Sequence, residues 1–190
     1  MKKISFLLSA LLFLTLTINA QVELKGLIGT NFATFHGSDQ DVSAKAGIQY
    51  GAGVLIGNKF YVEPGIQFVT SASTFTYEGA NYDFTQNLVK IPVYFGYHLL
   101  GSEDKPIALR VFAGPTMSIP GKIKKGPEQI TKDNINNSIW AIDGGLGLDI
   151  LFLFVEANYE YSLNDYFAAA ANANGKHGAF IINAGVHIDF

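Results

Sequence analysis

The stretch HGAFIINAGVHIDF, His177 to Phe190, alternates between two kinds of residue with a period of two. Phe180, Ile182, Ala184, Val186, Ile188 and Phe190 fall on one face of an extended chain, and Ile181, Asn183, Gly185, His187 and Asp189 on the other. One face is apolar to the last residue; the other carries ionisable groups. A strand facing lipid on one side and a polar lumen on the other needs this division. A soluble sandwich or lipocalin-like barrel would show the same alternation turned inside out, so the period alone leaves both open. The terminal aromatic, a leader segment and the order of connection lengths favour the membrane.

The leader is read at the other end of the 190 residues. Lys2 and Lys3 precede an apolar run from Ile4 to Ile18, and Ala20 before Gln21 is a cleavage point for a secretory signal peptide. The run is shorter than the ~20 residues of a spanning helix. The expected organisation is a signal peptide over 1–20 and one barrel domain over 21–190. Without Lys2 and Lys3 the chain has 11 basic residues against 16 acidic ones, a net charge of −5, with no basic face for nucleic acid. The absence of cysteine excludes disulfides, thiolate metal sites, a cysteine nucleophile and a lipid-modified cysteine.

The alternation recurs to give eight strands, about Val22–Thr34, Lys45–Ile56, Lys59–Phe75, Phe84–Leu100, Ile107–Ile119, Ile139–Ile150, Leu153–Leu163 and His177–Phe190. An even number of antiparallel strands closes into a barrel with both ends on one side. The connections are expected to alternate: long over 35–44, 76–83, 120–138 and 164–176, short at Gly57-Asn58, 101–106 and Leu151. Short turns on the periplasmic side and longer loops outside give that order. Aromatics such as Tyr50, Phe60, Trp140, Tyr159, Tyr161 and Phe190 are placed at strand ends or on the lipid face, where they form girdles. Pro64, Pro92 and Pro115 fall inside strands, where a missing N–H predicts a bulge or bend. The fold class is therefore an all-β, eight-stranded, up-and-down transmembrane barrel in the outer membrane.

Several segments carry a family resemblance: Asn19-Ala20-Gln21 at the end of the leader, Val89-Lys90-Ile91-Pro92-Val93-Tyr94-Phe95, Ala113-Gly114-Pro115, Asp143-Gly144-Gly145-Leu146-Gly147, and the terminal Asp189-Phe190. Through these the chain, over residues 21–190, resembles the small outer-membrane β-barrels of Gram-negative bacteria, in particular the PorT-like group. The resemblance implies the barrel fold and, for some members of that group, a part in secreting other proteins across the outer membrane.

The residues that could carry chemistry lie mostly on the inward set: Glu23, Lys25, Lys45, Glu63, Lys90, His98, Arg110, Asp143, Asp149, Glu156, Glu160, His187 and Asp189. Most of the acids gather on the last three strands. Buried charges must be paired, and eight strands enclose just enough room for side chains to fill, so the expected role is a polar network that fills the lumen. A narrow path for protons or small ions is the alternative. At the outer rim His36, Ser38, Asp39, Asp41 and His177 could approach one another, a set compatible with a lipid-modifying hydrolase or a weak divalent-metal site. The expectation is nonetheless a non-enzyme with no catalytic residue, metal or cofactor. Its partners would be membrane lipid and lipopolysaccharide, the barrel-assembly machinery reading Phe190 on the C-terminal strand, and a secretion complex reached through outer loops such as the lysine-bearing 120–138 segment.

Overall fold

In hydrocarbon each backbone N–H and C=O must find a protein partner, and strands achieve this only by closing on themselves. The computed structural model describes residues 21–36, 41–77, 80–101, 106–125, 135–165 and 176–189, with the backbone alone at some strand ends. Eight strands run β1 (Val22–His36), β2 (Asp41–Gly57), β3 (Phe60–Tyr77), β4 (Ala80–Leu100), β5 (Ile107–Lys125), β6 (Ile139–Ile150), β7 (Leu153–Ser162) and β8 (Lys176–Asp189). They close in chain order, every neighbour antiparallel. The seam pairs β1 with β8 from Glu23 opposite Asp189 to His36 opposite Lys176. The leader over 1–20 and Phe190 lie outside the described residues.

The strand pattern follows from which residues share a face. Along β7 burial alternates without exception, Leu153, Val155, Ala157, Tyr159 and Tyr161 out and Phe154, Glu156, Asn158, Glu160 and Ser162 in. Polar residues are therefore the buried ones and large apolar residues the exposed ones, the reverse of a soluble fold. Tyr50 stacks on Phe68 with ring centroids 5.5 Å apart, and Phe60 packs on Tyr97 at 4.6 Å, both on the outer surface.

Three expectations need correction. The first two outer connections are not long. β1 ends at His36 and β2 begins at Asp41, while β3 ends at Tyr77 and β4 begins at Ala80. Pairing continues past the point where the outward residues cease to be apolar: Thr70 Oγ1 donates to Asn87 Oδ1 at 3.0 Å, and Thr74 Oγ1 to Asp83 Oδ1 at 3.1 Å. The lipid alternation ends with the bilayer, but Thr, Ser, Tyr and Phe keep the sheet going above it. β4 has 21 residues where a tilted strand needs about 9–11 to cross. β5 likewise continues to Lys125, inside the expected third loop. Nor do the prolines create bulges: Pro64 pairs with Val93, Pro92 with Thr116 and Pro115 with Ile142 in unshifted register. Register shifts occur near strand ends instead, between Lys45 and Ile48 and around Gln86 and His98.

Three turns show local strain or its relief. Gly57 and Gly101 take positive φ at the short turns, where glycine is at ease. Leu151 does so without being glycine, at φ 56°, in the two-residue turn between β6 and β7, a conformation costing an L-residue about 1–2 kcal/mol.

Inside, Gly96 lies against the Tyr61 ring, so closely that an added β-carbon would overlap it. Replacing Gly96 by Val should lower stability by about 1–3 kcal/mol through overpacking, read as a lower urea midpoint for the heat-shifted gel band of the refolded barrel. An unchanged midpoint would show that Tyr61 has room to move.

Candidate functional site: the charged interior

Inward parity brings together side chains from strands that are not neighbours in the sheet. Lys25 on β1 reaches Glu63 on β3 at 2.8 Å and Glu156 on β7 at 2.6 Å. Arg110 on β5 forms two parallel bonds to Asp149 on β6, Nε to Oδ2 at 2.7 Å and Nη2 to Oδ1 at 2.9 Å. The same guanidinium donates to Glu156 at 2.9 Å and to the Tyr61 hydroxyl at 3.3 Å, and Glu63 stands 3.7 Å away. Glu156 is thus shared by both cations. Phe154 lies beneath them, its ring centroid 4.5 Å from Lys25 Nζ and 5.7 Å from the Arg110 guanidinium carbon. Arg110 is 2 % exposed and Lys25 1 %, so the cluster is a cross-brace through the lumen.

Small residues make room for it. A β-carbon on Gly147 would lie 3.1 Å from Arg110 Nη2, so the glycine lets the guanidinium lie flat against β6.

Two further layers follow. Asp143 accepts from the Tyr94 hydroxyl at 2.8 Å and from Asn158 Nδ2 at 2.7 Å. Lys90 pairs with Glu160 at 2.7 Å, Thr116 Oγ1 donates to the same carboxylate at 3.1 Å, and His177 Nδ1 stands 4.0 Å from it. Gln49 Nε2 donates to Asn183 Oδ1 at 2.7 Å across β2 and β8. Near the short-turn end, His98 Nδ1 lies 2.7 Å from the Asn58 carbonyl. There too, His187 places Nδ1 2.8 Å from Glu23 and Nε2 2.8 Å from the Leu151 carbonyl. Among the described residues six carboxylates and three Lys or Arg side chains are buried.

The sequence reading placed thirteen residues in this lumen. Eleven lie along it: Glu23, Lys25, Glu63, Lys90, His98, Arg110, Asp143, Asp149, Glu156 and Glu160 are buried and His187 is partly so. Lys45 does not. The register shift after it sets it opposite Ala72, on the outward parity of β3, where its half-exposed ammonium pairs with Asp83. Asp189 opposes Glu23 in the seam, and its side chain lies outside the described residues.

The reading passed over Tyr61, Tyr94, Phe154, Gln49, Asn158 and Asn183, because it weighed charge alone; their inward parity was the available signal. Of the rim set, only His177 has a side chain among the described residues, and the seam register brings it within one position of His36. His177, opposite Phe35, turns into the lumen toward Glu160, whereas His36 stands opposite Lys176. Ser38, Asp39 and the side chains of His36 and Asp41 lie outside the described residues. No group of three His, Cys, Asp or Glu residues poised for a metal occurs among those described.

An eight-stranded barrel with lipid-type residues outside and ion pairs within belongs to a definite class, the small transmembrane barrels. A family model for the outer membrane protein beta-barrel domain matches residues 18–168, and the chain belongs to that family; it is an outer-membrane protein. Its fold is similar to the outer membrane protein OprG of Pseudomonas aeruginosa, TM-score 0.51 at 10 % identity, covering 90 % of this chain and 96 % of that one. It is also similar to Neisserial surface protein A, TM-score 0.53 at 11 % identity, covering 87 % and 96 %. No curated protein matches the chain in sequence.

Truncating Glu156 to Ala strips a partner from both Lys25 and Arg110. The expected loss is about 3–5 kcal/mol of stability, as for a broken buried ion pair. Lys45→Ala, at a half-exposed pair, should cost less than about 1 kcal/mol. Urea unfolding in detergent micelles compares the two; equal effects would mean that the cross-brace carries no special load.

Proposed function

We propose that this chain is a non-enzymatic outer-membrane barrel, closed to solutes, that acts as a structural or accessory component through its outer face. The observation that carries the reading is the cross-brace of Lys25, Glu63, Arg110, Asp149 and Glu156, which joins five strands across the lumen. Opening a path would separate these charges in a medium of low dielectric, and nothing in a rigid eight-stranded wall compensates that loss. Above the brace the interior has a cavity of about 20 Å³ bordered by Gln49, Lys90, Glu160 and His177, room for about one water.

The outer face is where such a barrel has surface left to offer. β2 to β5 run on beyond the bilayer as a polar sheet, with Lys45, Asp83 and Lys124 exposed on it. A place within the PorT-like group, and with it a link to protein secretion, accords with a barrel that presents loops to a partner. Lipopolysaccharide phosphates and the barrel-assembly machinery are the other expected contacts.

The purified protein in a planar bilayer should give no discrete conductance steps, and steps in the wild type would replace this reading with a channel. Joint replacement of His36 and His177 by Ala should leave the lipid profile of the host membrane unchanged. Loss of a modified lipid species would instead assign a hydrolase to the rim.

A further inference from the structure

The three short turns differ in kind. The turn between β2 and β3 carries Gly57, Asn58 and Lys59, and that between β4 and β5 carries Ser102, Glu103, Asp104 and Lys105. Between β6 and β7 the sequence is Ile150-Leu151-Phe152-Leu153, with no polar side chain at all. These four are 48 %, 64 %, 60 % and 48 % exposed, and Leu100 and Ile107 beside them 67 % and 59 %. A two-residue hairpin turn needing positive φ ordinarily takes Gly, Asn or Asp. Here Leu151 takes it instead, at φ 56°.

We infer that the β6–β7 turn is submerged in the acyl region of the periplasmic leaflet and anchors that side of the barrel in lipid. Two observations support this placement and a third permits it. First, the hairpin is short. β7 has 10 residues. At about 3.3 Å per residue and a tilt near 45° it reaches about 23 Å, close to the ~25 Å apolar band of such barrels.

Second, the lipid face of this hairpin has no polar margin at its lower end. Below the aromatics Trp140, Tyr159 and Tyr161 its exposed outward side chains are apolar down to Leu151 and Phe152. A band that begins at those aromatics therefore ends at the turn.

Third, the turn's backbone is satisfied from within. Leu151 N–H donates to the Pro106 carbonyl at 2.9 Å, the Phe152 carbonyl accepts from His187 N–H at 3.0 Å, and the Leu151 carbonyl lies 2.8 Å from His187 Nε2. A turn in hydrocarbon requires such partners; the polar β2–β3 turn has the same set, with Gly57 N–H on the Gln21 carbonyl, His98 N–H on the Lys59 carbonyl and His98 Nδ1 against the Asn58 carbonyl, so these bonds permit submersion, and the apolar side chains single out the β6–β7 turn. The wall formed by β3 to β5, with 18, 21 and 19 residues, carries its surplus length at the other end, so the barrel sits asymmetrically in the bilayer.

The test uses the protein's single tryptophan. In Trp140→Phe with Phe152→Trp, refolded into phosphatidylcholine vesicles, the introduced indole should emit to the blue and be quenched by lipids brominated on the acyl chain. It should resist aqueous acrylamide. Red-shifted emission quenched by acrylamide would place the turn in water and overturn the inference. An indole exposed in pure lipid but shielded in native outer membrane would show a protein partner instead, and would also overturn it.

A second variant reads the same point without a probe. Leu151→Gly with Phe152→Ser relieves the backbone strain while removing the apolar tip. In vesicles its urea midpoint should fall below wild type; a rise would mean that strain relief alone matters and that the turn is not in lipid.

Discussion

Everything in this molecule depends on the cost of an unpaired peptide group in hydrocarbon, several kcal/mol for each. That cost forces closure, and closure of eight strands fixes a lumen too narrow to stay empty and wet. Once the interior is closed, its side chains must satisfy one another. The ion pairs across the lumen are thus a consequence of the backbone problem at one remove. Lys25 and Arg110 have long stems and several donors, so two cations can serve Glu63, Asp149 and Glu156 and also reach Tyr61.

The interior and the exterior were not equally legible in the sequence. Strand number, sheet order and the face of each residue follow from a period of two, which survives single prolines because a proline removes one ladder bond without changing parity. Pro92, buried and in register with Thr116, shows this. Parity fails only where an extra residue enters a strand. Parity puts Lys45 in the lumen, yet it lies on the outer surface because the register shifts between it and Ile48. Nothing local in Lys45-Ala46-Gly47-Ile48 marks that shift; it arises from how β2 meets β3.

Strand ends are hidden for a related reason. A lipid-facing strand announces itself by its outward Ile, Val and Phe, and the signal stops at the membrane surface. Hydrogen bonding does not stop there. β4 continues through Asn81 and Asp83 to Ala80, and only pairing with β3 reveals it. The partners within the lumen were hidden in another way. Lys25 and Glu156 are 131 residues apart, and inward parity says that both face the lumen without saying that they touch. Height along the axis, set by the stagger between strands, decides that, and stagger is a property of the closed sheet.

These constraints divide the molecule's surfaces by what each is free to do. The lipid face must be apolar and the lumen must be charge-paired, so neither leaves many positions that could vary without loss of the fold. The seam between β1 and β8 is held in the same economy of partners: His187 bonds Glu23 across it and the Leu151 carbonyl at the neighbouring turn, coupling closure to the placing of that turn. What remains is the outer extension of β2 to β5, where the outward residues include Thr, Asn, Asp and Lys and the strand backbones are already paired. A barrel of this size can vary there without disturbing the cross-brace below, because the two are separated by a further layer of paired lumen side chains, Gln49 with Asn183 and Lys90 with Glu160. Stability and freedom to vary thus occupy different heights of one short cylinder.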